Sequence, residues 1–129
     1  MADQILHTKL YIPSLRPQLV PRPRLLAQLN HGLQYKLTLI SAPAGFGKTT
    51  VICDWLRTTE LPVAWLALDE GDNDLLRFLA YVIAALQRVV PTVGQTVQAM
   101  MQSPQPPATT AWMTTLINEV TTVAPKFIF

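Results

Sequence analysis

The chain has 129 residues, 50% of them apolar and only 14% charged, with a formal net charge of +2. That composition fits one small packed domain and excludes an intrinsically disordered chain. The small net charge gives no clustered basic face for a nucleic-acid backbone, and Cys53, the sole cysteine, excludes an intrachain disulfide or a cysteine metal cage.

Residues 1–24 read as an extended arm, because Pro13, Pro17, Pro21 and Pro23 each deny a helix and push the preceding residue toward β or polyproline geometry. Arg16, Arg22 and Arg24 cluster there, and read equally as a solvated arm or as ligand contacts. His7 and His31 have no carboxylate or nucleophile at a suggestive spacing and read as ordinary polar residues. Leu25–Leu33 predicts a short helix closed near Gly32.

The apolar run Lys36–Ser41 predicts a strand that feeds Ala42-Pro43-Ala44-Gly45-Phe46-Gly47-Lys48-Thr49-Thr50. This is a phosphate-binding loop pattern, with Ala42 where the commonest form has glycine. Backbone N–H groups reach phosphate oxygens from several sides only where the chain tolerates positive φ, which points to Gly45 and Gly47. The helix that follows aims its unpaired N–H groups and positive dipole end at the same anion. Lys48 is the catalytic candidate, placed to reach the β/γ-phosphates. The Thr49 hydroxyl is the candidate Mg²⁺ ligand.

That helix runs to about Thr59 with Val51, Ile52, Trp55 and Leu56 on one side, and places Cys53 as a buried inert thiol. After Pro62, the continuous apolar run Val63–Leu68 fits a strand covered on both faces. Strand, helix and strand in this order predict a βαβ unit with parallel strands. The acidic turn 69–74 reads as caps for the next helix, with Asp69 and Glu70 as alternative contacts to Mg²⁺ or nucleotide. Leu75–Val90 predicts a largely buried helix ended by Pro91. A short helix over Val97–Met101, a helix over Ala111–Val123 and the start of a strand at Lys126–Phe129 complete the order. The expected fold is α/β: a P-loop NTPase-type parallel sheet with flanking helices, truncated before the Walker B acidic residues. In that division residues 1–24 are the arm, and residues 25–129 are the N-terminal portion of the domain.

The longest uncharged apolar stretch, Phe78–Leu86, is too short to span a bilayer, and no signal peptide opens the chain, so a cytoplasmic protein without membrane contact is expected. The loop implies ATP or ADP as ligand with Mg²⁺ as cofactor. A small-molecule phosphotransferase is the alternative, although residues 91–125 hold no Lys or Arg for a basic lid. A non-catalytic interaction module is a third reading.

Leu6-His7-Thr8-Lys9-Leu10, then Pro13, Arg16 and Leu19-Val20-Pro21-Arg22-Pro23-Arg24-Leu25, then the strand and loop, then Ala64–Glu70 with Asp72-Asn73-Asp74, Phe78 and Tyr81, resemble the opening of the MalT-like, LuxR-type transcriptional regulators. Those proteins are similar to signal-transduction ATPases with numerous domains. The resemblance implies an ATP-binding switch with slow or no hydrolysis in this chain, and it favours ATP over GTP. It also implies self-association in the intact protein, and DNA contact only through a C-terminal region beyond these residues. It sets Arg22 against the nucleotide, beside the loop residues Ala42, Ala44, Gly45, Phe46, Gly47, Lys48, Thr49 and Thr50. The family's sheet order implies that strand 36–41 lacks its inner neighbour here, so the chain is expected to be poorly stable or to self-associate.

Overall fold

The computed structural model describes residues 4–15 and 20–129; Arg16, Pro17 and Leu19 of the arm lie outside them. The described residues form two compact units: one of residues 4–11 with Leu61–Phe129, the other lying between Ile12 and Glu60.

The unit between Ile12 and Glu60 is built on two helices. Helix α1 spans Pro23–Gly32 and opens on a proline, whose missing N–H costs nothing at a helix start. Helix α2 spans Lys48–Thr58 and follows directly on Gly47. Leu29, Cys53, Trp55 and Leu56 are buried in this unit. The Trp55 indole donates to the Asn30 side-chain oxygen at 2.7 Å, so the indole nitrogen is not left unsatisfied between the two helices.

The other unit holds α3 (Leu75–Gln87), α4 (Gln95–Met101) and α5 (Thr109–Val123). Asp74 caps α3 by accepting from the Leu76 N–H. Leu79, Ile83, Val93 and Val97 are almost fully buried and pack with Leu86, Trp112 and Leu116. Each such aliphatic side chain contributes about 1.5–3 kcal/mol through its removal from water. Gly94 joins α3 to α4 at φ +83, with the Ile83 side chain directly against the place a Cβ would occupy, and its N–H donates to Glu119 at 2.7 Å. A second apolar group, Leu10, Ala64, Tyr81 and Ala85, ties residues of the arm to α3. Its arm element is a 3₁₀ turn, His7–Leu10.

The expected parallel sheet is not present. Among the described residues there is no strand, only one isolated parallel bridge between Val63 and Ile128. Ala64 donates to the Ile128 carbonyl at 2.7 Å and Ile128 to the Pro62 carbonyl at 2.9 Å, while the Ala67 N–H goes to the Lys9 carbonyl at 2.9 Å. The run 63–68 is thus shared between two short partners instead of pairing along its length. Residues 36–41 are exposed, with a bend at Lys36 and no regular secondary structure, and have no backbone partner among the described residues. A strand exists only through a ladder, so an apolar run without a neighbour does not become one whatever its propensity. The P-loop NTPase-type sheet read from the sequence is therefore corrected to a helical architecture. No helix of the described residues is long and apolar enough to cross a membrane.

Candidate phosphate-binding loop

The loop Ala42–Thr50 takes its shape from two glycines. Gly45 has φ +86 and Gly47 φ +79, both left-handed, on either side of Phe46, and the described residues contain no non-glycine residue with positive φ. The Phe46 N–H donates to the Pro43 carbonyl at 3.3 Å and closes the first bend. A Cβ at Gly45 would meet nothing within 4 Å, so the requirement there is backbone conformation and not space.

Gly47 is the N-cap of α2 and brings no side-chain cap; the first intrahelical bond is from the Val51 N–H to the Gly47 carbonyl. The N–H groups of Lys48, Thr49 and Thr50 have no acceptor among the described residues, as expected for a helix start that offers donors outward. The Lys48 ammonium lies back on the loop and donates to the Ala42 carbonyl at 2.5 Å. Ala44, Thr49 and Thr50 are exposed, and Phe46 keeps 63% of its surface in solvent. A guanidinium nitrogen of Arg22 lies 3.8 Å from where a Gly47 Cβ would stand. The residue before α1 and the residue before α2 therefore meet at the loop.

This donor set suits a phosphate chain with its metal. It offers three free N–H groups, an ammonium held only by one carbonyl, a guanidinium and an exposed threonine hydroxyl. Ala42 contributes its carbonyl as the resting place of Lys48. Gly45 and Gly47 supply the curvature.

Asp69 and Glu70, the alternative metal contacts, have another setting. Asp69 accepts from Lys9 at 2.9 Å and from the Gly71 N–H at 2.8 Å. Asp72 accepts from Lys9 at 2.7 Å and from the Asp69 N–H at 2.7 Å, and the two aspartates form a capping box on the 3₁₀ turn Glu70–Asn73. Glu70 is exposed in that turn. The hydrogen bond from Lys9 and then a backbone N–H hold both aspartates below the usual carboxylate range. Burial alone would lower the Lys9 ammonium, but its bonds to Asp72 and Asp69 outweigh that and leave it raised. Lys9 also sits 4.3 Å above the Tyr81 ring centroid, and the Tyr81 hydroxyl accepts from the Leu6 N–H at 3.0 Å.

Sequence reasoning missed Lys9. Arg77 also stands 3.9 Å from each of the two aspartates, and the one local signal for the cluster was the pair of aspartates three residues apart; nothing in the sequence pointed them to Lys9. His7 and His31 join no cluster that could hold a metal, and among the described residues no group of three or more His, Cys, Asp or Glu does. Burial raises the Cys53 thiol, in keeping with an inert side chain.

No protein-family profile matches the chain. It is 41% identical over 101 residues to the HTH-type transcriptional regulator MalT of two Klebsiella pneumoniae strains, a match covering 78% of this chain and 11% of each relative. It is 47% identical over 85 residues to the protein of the same name from Cronobacter sakazakii, covering 65% of this chain and 9% of that relative. The chain thus spans only about a tenth of the length of the curated relatives it matches.

Proposed function

We propose, for a chain that is MalT-like and belongs with the HTH-type transcriptional regulators of that name, a role as the nucleotide-responsive part of a regulator that holds Mg-ATP on the Ala42–Thr50 loop. The single observation that carries this reading is the pair of left-handed glycines around Phe46, followed at once by an uncapped helix start that bears Lys48. In a bound state the free N–H groups of Lys48, Thr49 and Thr50 and the Lys48 ammonium would take the phosphate oxygens. The Thr49 hydroxyl would hold Mg²⁺, and Arg22 would stand beside the nucleotide. Bound Mg²⁺ supplies positive charge that neutralises the β- and γ-oxygens.

Binding without turnover fits these residues best. Asp69, the strand-end acid considered for the metal, already has its carboxylate engaged by Lys9 and Gly71. ATP is the nucleotide implied by the family resemblance, and the transcriptional role follows from the relatives. Self-association of the intact regulator, a cytoplasmic location and DNA contact through a part other than these residues belong to the same reading.

A phosphate-dependent thermal shift tests the proposal. A ligand that binds only the folded state adds about 2.7 kcal/mol at one hundred times its dissociation constant. Mg-ATP and Mg-ADP should raise the melting temperature, adenosine should not, and equal shifts with adenosine would move recognition away from the loop.

A further inference from the structure

Charge is unevenly divided between the two units. The residues from Ile12 to Glu60 hold six of the ten Lys and Arg side chains, but only Asp54 and Glu60 of the eight acids. Asp54 is paired with Arg57 on α2 at 3.2 Å, and the loop Ala42–Thr50 contains no carboxylate of its own. The unit that carries the loop therefore has a standing excess of positive charge, which draws an anion toward it before any contact forms.

Arg22 is where that excess meets the loop. Its backbone is set by Pro21 before it, by Pro23 after it, and by its own carbonyl, which accepts from the Leu25 and Leu26 N–H groups at 3.1 Å as α1 begins. The bond from Trp55 to Asn30 in turn holds α1 on α2. The Arg22 guanidinium makes no hydrogen bond or ion pair among the described residues. One of its nitrogens lies 3.8 Å from the place of a Gly47 Cβ, beside the residue that precedes the free N–H groups of Lys48, Thr49 and Thr50. The Lys48 ammonium rests at the other end of the loop, on the Ala42 carbonyl.

We propose that Arg22 binds the phosphate chain of the nucleotide, and not its base or ribose, as the second cation of the loop. The inference rests on the reading of Ala42–Thr50 as a phosphate site. An arginine can serve a nucleotide at either end, and the position of this one decides between them. A planar guanidinium beside the start of α2 gives two parallel N–H bonds to phosphate oxygens, while the backbone N–H groups of the helix start take others. Its exposure without a protein partner has a physical sense in that role. The guanidinium stays hydrated until an anion arrives, and no internal ion pair has to break first.

Titration of the full chain with Mg-ATP and with Mg-tripolyphosphate, which has the phosphates and no base, tests the assignment. The wild type should bind both. Arg22→Ala should weaken both by the same factor, about tenfold for a charged hydrogen bond in a partly exposed site. Arg22→Lys should recover part of the loss, because it keeps the charge without the fork. The melting temperature of Arg22→Ala without ligand should equal that of the wild type, since the guanidinium holds nothing in the free chain. Loss of ATP affinity in Arg22→Ala with tripolyphosphate binding unchanged would overturn the proposal by moving the contact to the base or ribose. Unchanged affinity for both ligands, or a wild type that binds Mg-ATP but not Mg-tripolyphosphate, would overturn it as well. Equal Mg-ATP affinity in Lys48→Ala and the wild type is a different failure, that of the loop reading itself.

Discussion

Lys9 donates to Asp72 at 2.7 Å with only 7% and 4% of the two side chains exposed, across 63 residues of sequence. The contact fastens the 3₁₀ turn of the arm to the turn before α3. Burying two opposite charges is tolerable because they meet each other and nearby donors, but removing one leaves the other uncompensated. Lys9→Met is therefore expected to lower the melting temperature by several degrees and to loosen residues 6–10. Lys9→Met combined with Asp72→Asn should recover part of the loss. Thermal melts and limited proteolysis of the arm check both.

The same cluster sets a pH dependence. Asp69 and Asp72 lie below their ordinary value of 3.8, so their contribution is present above that value and is lost as pH falls through the lowered one. Lys9 lies above 10.5, so its contribution is complete below 10.5 and is lost as pH rises through the raised value. The melting temperature should hold level between these limits and fall on the acid side below about pH 4. In Lys9→Met the acid fall should be shallower, because the aspartates then lose the cation that depresses them.

Gly45 and Gly94, two of the positive-φ glycines, should respond differently when each is replaced by alanine. Gly45 has open space around it, so Gly45→Ala meets only the backbone cost of a left-handed residue, about 1–2 kcal/mol. Gly94→Ala adds a collision with Ile83 in the core and should destabilise clearly more. Chemical denaturation of the two variants side by side gives the ordering. Of these two variants, only Gly45→Ala should also impair nucleotide binding.

Asn30→Ala should destabilise the unit that carries the loop, because it leaves the Trp55 N–H without its acceptor. The expected cost is about 1–3 kcal/mol, that of an unsatisfied buried donor. Near-ultraviolet circular dichroism of the indole band, followed through a melt, reports it directly.

Helices were legible in the sequence because their signals are local. Gly47 before Lys48, Asp74 before Leu75, and the prolines at 62, 91 and 125 mark starts and stops within a few residues of α2, α3 and α5. The glycines of the loop were legible for the same reason, since Gly45 and Gly47 alone can take the φ that the turn needs. The sheet was not legible, because Leu37 and Leu39 read as strand residues only if another chain segment pairs with them. Nothing within their own neighbourhood reports whether one does. Lys9 escaped for the opposite reason: proline spacing suggested an extended arm, while its true partners, Asp69 and Asp72, stand sixty and more residues away.

The most direct test of the central claim is isothermal titration of Mg-ATP into the chain and into Lys48→Ala. The Lys48 ammonium is held by one loop carbonyl alone, so its removal should leave the fold and melting behaviour intact. The account predicts one saturable site in the wild type and at least a tenfold weaker one, or none, in Lys48→Ala. Equal affinities in the two proteins, or no heat of binding in a folded wild type, would contradict it.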